Sequence, residues 1–114
     1  PRDYCEKNDY PRSKWNSVVN KAPISYSTNR EIGGVAPSKY LSRIEEKGKV
    51  TSNVLDTYID SHWISVECCR NDDFDQHIIY RAIKLLDAIE VAMGKPISGR
   101  DSKEVIDGFG SKLI

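Results

Sequence analysis

The sequence predicts a mainly α-helical small domain with a short irregular or extended N-terminal segment, and three observations predict it. From Pro37 to Met93, apolar residues recur at spacings of three and four, the period of a helix with one face in a core. Each of those segments opens at Ser, Thr, Asn or Asp, and the first and last are stopped by Gly or Pro. The first 26 residues, rich in Tyr, Trp, Asn and Pro, hold no sustained period.

That opening stretch reads as loops with one short helix and one extended piece. Val18, Val19, Ala22 and Ile24 are its apolar anchors. Pro23 interrupts helical geometry and pushes the residue before it toward extended backbone, so Ser17 to Ser25 is expected as a strand or hairpin arm. A helix of little more than one turn follows, capped by Ser27 or Thr28 and stopped by Gly33 and Gly34. The next starts at Pro37 and Ser38, with Ser38 as cap and Tyr40, Leu41 and Ile44 on one face, and ends at Gly48. Ser52 or Asn53 caps a third, whose face is Val54, Leu55, Tyr58 and Ile59. His62 to Val66 is ambiguous. The strongest pattern is Phe74, Ile78, Ala82, Leu85, Leu86, Ile89 and Met93, opened by Asp72 or Asp73 and closed by Gly94 and Pro96. In the tail a helix over Ser102 to Ile106 is loosely specified among Gly99, Gly108 and Gly110. Residues 37–114 are expected to pack with 1–36 as one domain.

Composition bounds what such a domain does. The 114 residues carry 17 basic and 17 acidic side chains, but residues 1–50 hold ten Lys or Arg against six Asp or Glu, and residues 51–114 seven against eleven. The first half suits a polyanion better. Arg12, Lys14, Lys21, Arg30, Lys39 and Arg43 stand there among Tyr10, Trp15, Tyr26 and Tyr40, a mixture suited either to a nucleic-acid path or to ordinary packing. Arg81 and Lys84, by contrast, have acidic neighbours in sequence that are expected to offset them. No apolar run reaches the roughly 20 residues that span a bilayer, and no basic-then-apolar leader is present, so a soluble, cytoplasmic protein is expected. Cys5, Cys68 and Cys69 form an odd set whose adjacent pair cannot make a relaxed disulfide, which favours reduced thiols.

Few residues offer chemistry. His62, beside Trp63, is expected partly buried, and His77 on the polar flank of the long helix. Asp72, Asp73 and Asp75 fit the positive end of the helix dipole without an ion. The informative stretch is Asn16 to Tyr40, NSVVNKAPISYSTNREIGGVAPSKY, in which Asn20 precedes a strand-like run and the pair Asn29-Arg30 follows nine residues later. Asn is also a common cap and turn former, so both residues have a structural reading as well.

This segment, with the Ala36-Pro37-Ser38-Lys39-Tyr40-Leu41 phrase and the Asp72-Asp73-Phe74 helix start, resembles the second half of an HNH-type (ββα-metal) nuclease domain. Such domains occur in GmrSD-like restriction endonucleases and in RNA-guided CRISPR nucleases. The resemblance covers roughly residues 1–94. It implies that residues 1–36 are the remnant of a ββα-metal motif and 37–114 a helical extension of it. It also implies that a phrase such as His-His-Ile-Phe-Pro ends at Pro1, so the general base and first metal ligand stand upstream and no catalytic residue falls within the chain. By the same resemblance Asn20 braces the loop carrying the general base, Asn29 contributes to the metal site, and Arg30 touches phosphate. Mg or Mn, both partial to oxygen ligands, belongs to the intact parent. The partners so implied are DNA and an upstream ParB-like domain, within a prokaryotic system that restricts foreign DNA. The expectation is a fragment of a metal-dependent DNA endonuclease, inactive alone. The alternative from a different class is a non-catalytic helical module that binds nucleic acid or protein.

Overall fold

The computed structural model describes residues 1–114, which form a mainly helical, compact small domain without strands. Eight α-helices follow one another: α1 (Arg2–Lys7), α2 (Arg12–Trp15), α3 (Tyr26–Ile32), α4 (Pro37–Gly48), α5 (Ser52–Ser61), α6 (Val66–Arg70), α7 (Phe74–Met93) and α8 (Lys103–Phe109). A 3₁₀ turn over Val18–Asn20 separates α2 from α3. No helix is long and apolar enough to cross a membrane.

The N-terminal third departs most from expectation. It holds two short helices before the 3₁₀ turn, and Ser17 to Ser25 is not a strand. Ser17 caps the turn by accepting from the Val19 amide at 3.2 Å, and the chain then runs extended from Lys21 without pairing to another segment. A lone extended segment has no ladder partner, and apolar anchors cannot themselves create one. Ser25, two residues upstream of the expected cap, accepts from the Thr28 amide to start α3. Gly33 ends α3 at a φ of +56°, a conformation glycine adopts without a Cβ clash. Gly34 is required for a different reason: a Cβ there would lie 2.7 Å from Oδ2 of Asp3 on α1.

The start of α4 is capped from a distance. Pro37 occupies its first turn and Ala36 supplies no side-chain acceptor, while Ser38 does not cap as expected. Instead the Asp72 carboxylate, 34 residues away, accepts from the Ser38 amide at 2.8 Å and from its hydroxyl at 2.6 Å. Asp72 sits at a φ of +57°, which Asp tolerates better than most residues. Its neighbour Asp73 caps α7, accepting from the Gln76 amide at 3.1 Å. The two aspartates therefore anchor two helix N-termini at one junction.

Two small cores result. Cys5, Phe74 and Ile78 form one, flanked by Tyr4, Tyr10, Trp15, Val19 and Phe109. Leu41, Leu55 and Ile59 form the other, against Tyr40, Ile44, Val50, Ile64 and Cys69. Of the face expected for α5, Val54 and Tyr58 remain exposed; the helix, capped by Thr51, buries only one edge. Helix α6 falls in and just after the ambiguous stretch, and at five residues it is too short to show a period. Its Arg70 joins Glu45 of α4 at 2.6 Å and Asp56 of α5. The tail is fixed by Arg100, which donates to the Leu113 carbonyl at 2.7 Å and pairs with Asp87 and Glu90 of α7. Leu113 is consequently 3% exposed.

Candidate functional site

A cavity of about 330 Å³ opens between the N-terminal elements, the α4–α6 junction and the first half of α7. Asn20 and Asn29, singled out in the sequence on separate elements, both line it. Asn20, at the end of the 3₁₀ turn, donates from Nδ2 to the Trp15 carbonyl at 2.9 Å, a bond that satisfies the C-terminus of α2. Asn29 stands on α3 and is exposed to solvent.

Helix α7 contributes His77 and Arg81, one turn apart on the same face. His77 is not on a polar flank. It is half-buried, edge-on to the first core with its ring centroid 6.4 Å from that of Phe74, and its Nδ1 is buried without a hydrogen-bond partner. Burial, reinforced by the positive charge of Arg81, lowers its pKa to about 4, so the imidazole is neutral at pH 7. His62, in contrast, is exposed rather than packed, and Trp63 beside it is 42% exposed.

Arg81 is the residue that sequence reasoning missed. It is 8% exposed, the one charged side chain among the buried residues, and Nε has no hydrogen-bond partner. None of the ion pairs of the molecule includes it. Acidic neighbours in sequence do not offset it: Asp87 and Glu90 lie farther along α7 and are taken by Arg100. Burial alone pulls the Arg81 guanidinium below the ordinary arginine range. Removing a cation from water costs several kcal/mol after relaxation, and a partner normally offsets this. The sequence did hold a signal. Arg81 follows Ile78 by three residues and precedes Leu85 by four, which places a cation in the apolar register of α7.

The carboxylates on the cavity wall are engaged. Asp72 is held by Ser38 and Asp73 by the Gln76 amide. No three His, Cys, Asp or Glu side chains cluster at metal-binding distances, and Asn29 offers a single amide oxygen. The residues of this chain thus do not by themselves make a closed shell for Mg or Mn. The thiols are no better placed for chemistry: burial pushes Cys69 up to about 11, and Cys5 is buried in the first core.

The six basic residues expected to face DNA are differently engaged. Lys14 pairs with Asp75 at 3.1 Å. Lys21 donates to the Asn16 side chain at 3.3 Å, Arg12 lies over the Trp15 ring at 6.0 Å, and Arg30 over Tyr26 at 5.6 Å. Lys39 and Arg43 are exposed on α4, which packs on α3 beside Arg30. Lys14 is therefore the one member whose charge is neutralised by an ion pair.

Comparison with family models, with curated proteins and with solved structures finds no match to this chain.

Proposed function

We propose that this chain is the C-terminal part of an HNH-type, metal-dependent DNA endonuclease of a restriction system, contributing the metal-side helix and a helical DNA platform. The observation that carries the reading is the convergence of Asn20 and Asn29 on one cavity. They lie on separate elements, and each was singled out by its place in the motif rather than by any contact. The bond from Asn20 to the Trp15 carbonyl holds its side chain at the cavity edge. Arg30, Lys39 and Arg43 on the adjoining α3 and α4 supply positive charge for the DNA backbone without base readout. The metal shell is not closed by these residues, so no catalytic step is assigned to them.

The test is nicking of supercoiled plasmid in Mg²⁺ or Mn²⁺ by the 114-residue chain and by the chain extended upstream with its natural preceding residues. The extended protein is expected to nick, with loss in EDTA and a reduction of roughly tenfold or more in Asn29→Ala. The 114-residue chain is expected to be inactive. Absence of nicking in the extended protein, or nicking indifferent to Asn29→Ala, contradicts the reading.

The second reading, a non-catalytic helical interaction module, is favoured by a separate feature. A largely apolar groove of about 560 Å³ lies between Val18 and Val19, the second half of α7 and the tail.

A further inference from the structure

A folded chain that keeps an arginine 8% exposed and outside every ion pair holds a positive charge that its own residues do not neutralise. Arg70 and Arg100 show that the same chain readily supplies partners: each half-buried guanidinium joins two carboxylates. Arg81 lines the 330 Å³ cavity, and so does His77 one turn away, each with a buried ring or guanidinium nitrogen lacking a partner. Asn20 and Asn29 add amides from the facing elements. Arg81 is the one buried cation of that lining, in a space that holds a small ion with room to spare.

We infer that this cavity is a phosphate-binding site, with the Arg81 guanidinium as its anchoring cation and His77 beside it as a hydrogen-bonding group. A guanidinium binds phosphate oxygens in a fork of two parallel bonds. The Asp72 and Asp73 carboxylates on the same wall do not defeat this. Both are committed to helix caps, and Asp73 stands eight residues from Arg81, roughly 12 Å along the helix axis. A neutral His77 adds no repulsion between neighbouring cations. The inference holds whether or not the chain belongs to a nuclease, because it needs neither metal nor general base.

The experiment is titration of the 114-residue protein with inorganic phosphate at constant ionic strength. It is followed through the Arg81 Nε–H and His77 ring resonances by NMR and through heat by calorimetry, with acetate and chloride as parallel titrants. Phosphate is expected to shift both side chains saturably, acetate more weakly, and chloride not at all. Arg81→Met is expected to lower phosphate affinity by roughly thirtyfold or more, with Arg81→Lys between it and wild type. Should Arg81→Met fail to fold, the wild-type resonances and Arg81→Lys still decide. Unshifted Arg81 and His77 signals in phosphate overturn the inference. So does equal response to acetate, or undiminished binding by a folded Arg81→Met.

Discussion

The middle and the end of α7 treat arginine in opposite ways. At the end, Arg100 reaches from the tail to Asp87 and Glu90, and donates to the Leu113 carbonyl besides; Glu90 also accepts from the Ile97 amide at 2.9 Å. Each nitrogen of that guanidinium has a partner, and the tail is locked. In the middle, Arg81 is more deeply buried and has no ion-pair partner, with His77 similarly short of one. Both regions share one helix, so helix propensity does not separate them. The difference is that the first arginine serves the fold and the second burdens it. A burden of that kind is intelligible where a binding function requires the charge.

The contrast breaks first at the neighbouring core. Ile78, 2% exposed beside His77, is purely structural, and Ile78→Ala is expected to cost about 2–5 kcal/mol in urea unfolding. A loss well under 1 kcal/mol would mean that the middle of α7 is not a packed structural face at all. The pH profile sharpens the same region. His77 falls from the ordinary 6.5 to about 4 in the fold, so the unfolded chain takes up a proton first as pH drops. Its contribution is complete above pH 6.5, declines as pH falls toward 4, and amounts to about 3 kcal/mol. His77→Gln should flatten that part of the profile relative to wild type, and an unchanged slope would place His77 in water. At the other end, Arg100→Gln should loosen the tail and lower the melting temperature. Because the Asp87 side chain is 57% exposed, the loss should shrink in salt. Insensitivity to salt would shift the stabilisation from the ion pairs to the Leu113 carbonyl bond.

What was legible in the sequence follows the same division. The long helices α4, α5 and α7 were readable because their apolar residues repeat over several turns, and because Gly94 and Pro37 mark ends that backbone sterics impose. The cap of α4 was not, since Asp72 is 34 residues from Ser38 and a distant cap leaves no local pattern. Ser17 to Ser25 forms no strand, because Val18–Asn20 curls into a 3₁₀ turn and the extended residues that follow find no partner. Asn20 and Asn29 were named from their motif, and the fold does bring them to one cavity. Arg81 is invisible to a charge balance along the chain, because only its register around the helix with Ile78 and Leu85 places it inside.

The most direct test of the central claim, that Arg81 is retained for a bound anion rather than for the fold, is the unfolding free energy of wild type against Arg81→Met, without phosphate and at saturating phosphate. Without phosphate the variant should equal wild type or exceed it by about 1–4 kcal/mol, as when a buried uncompensated charge gives way to an apolar side chain of similar length. At saturating phosphate the order should reverse, because only wild type gains the binding energy. A variant less stable than wild type by the same amount in both conditions would contradict the account and return Arg81 to a structural role.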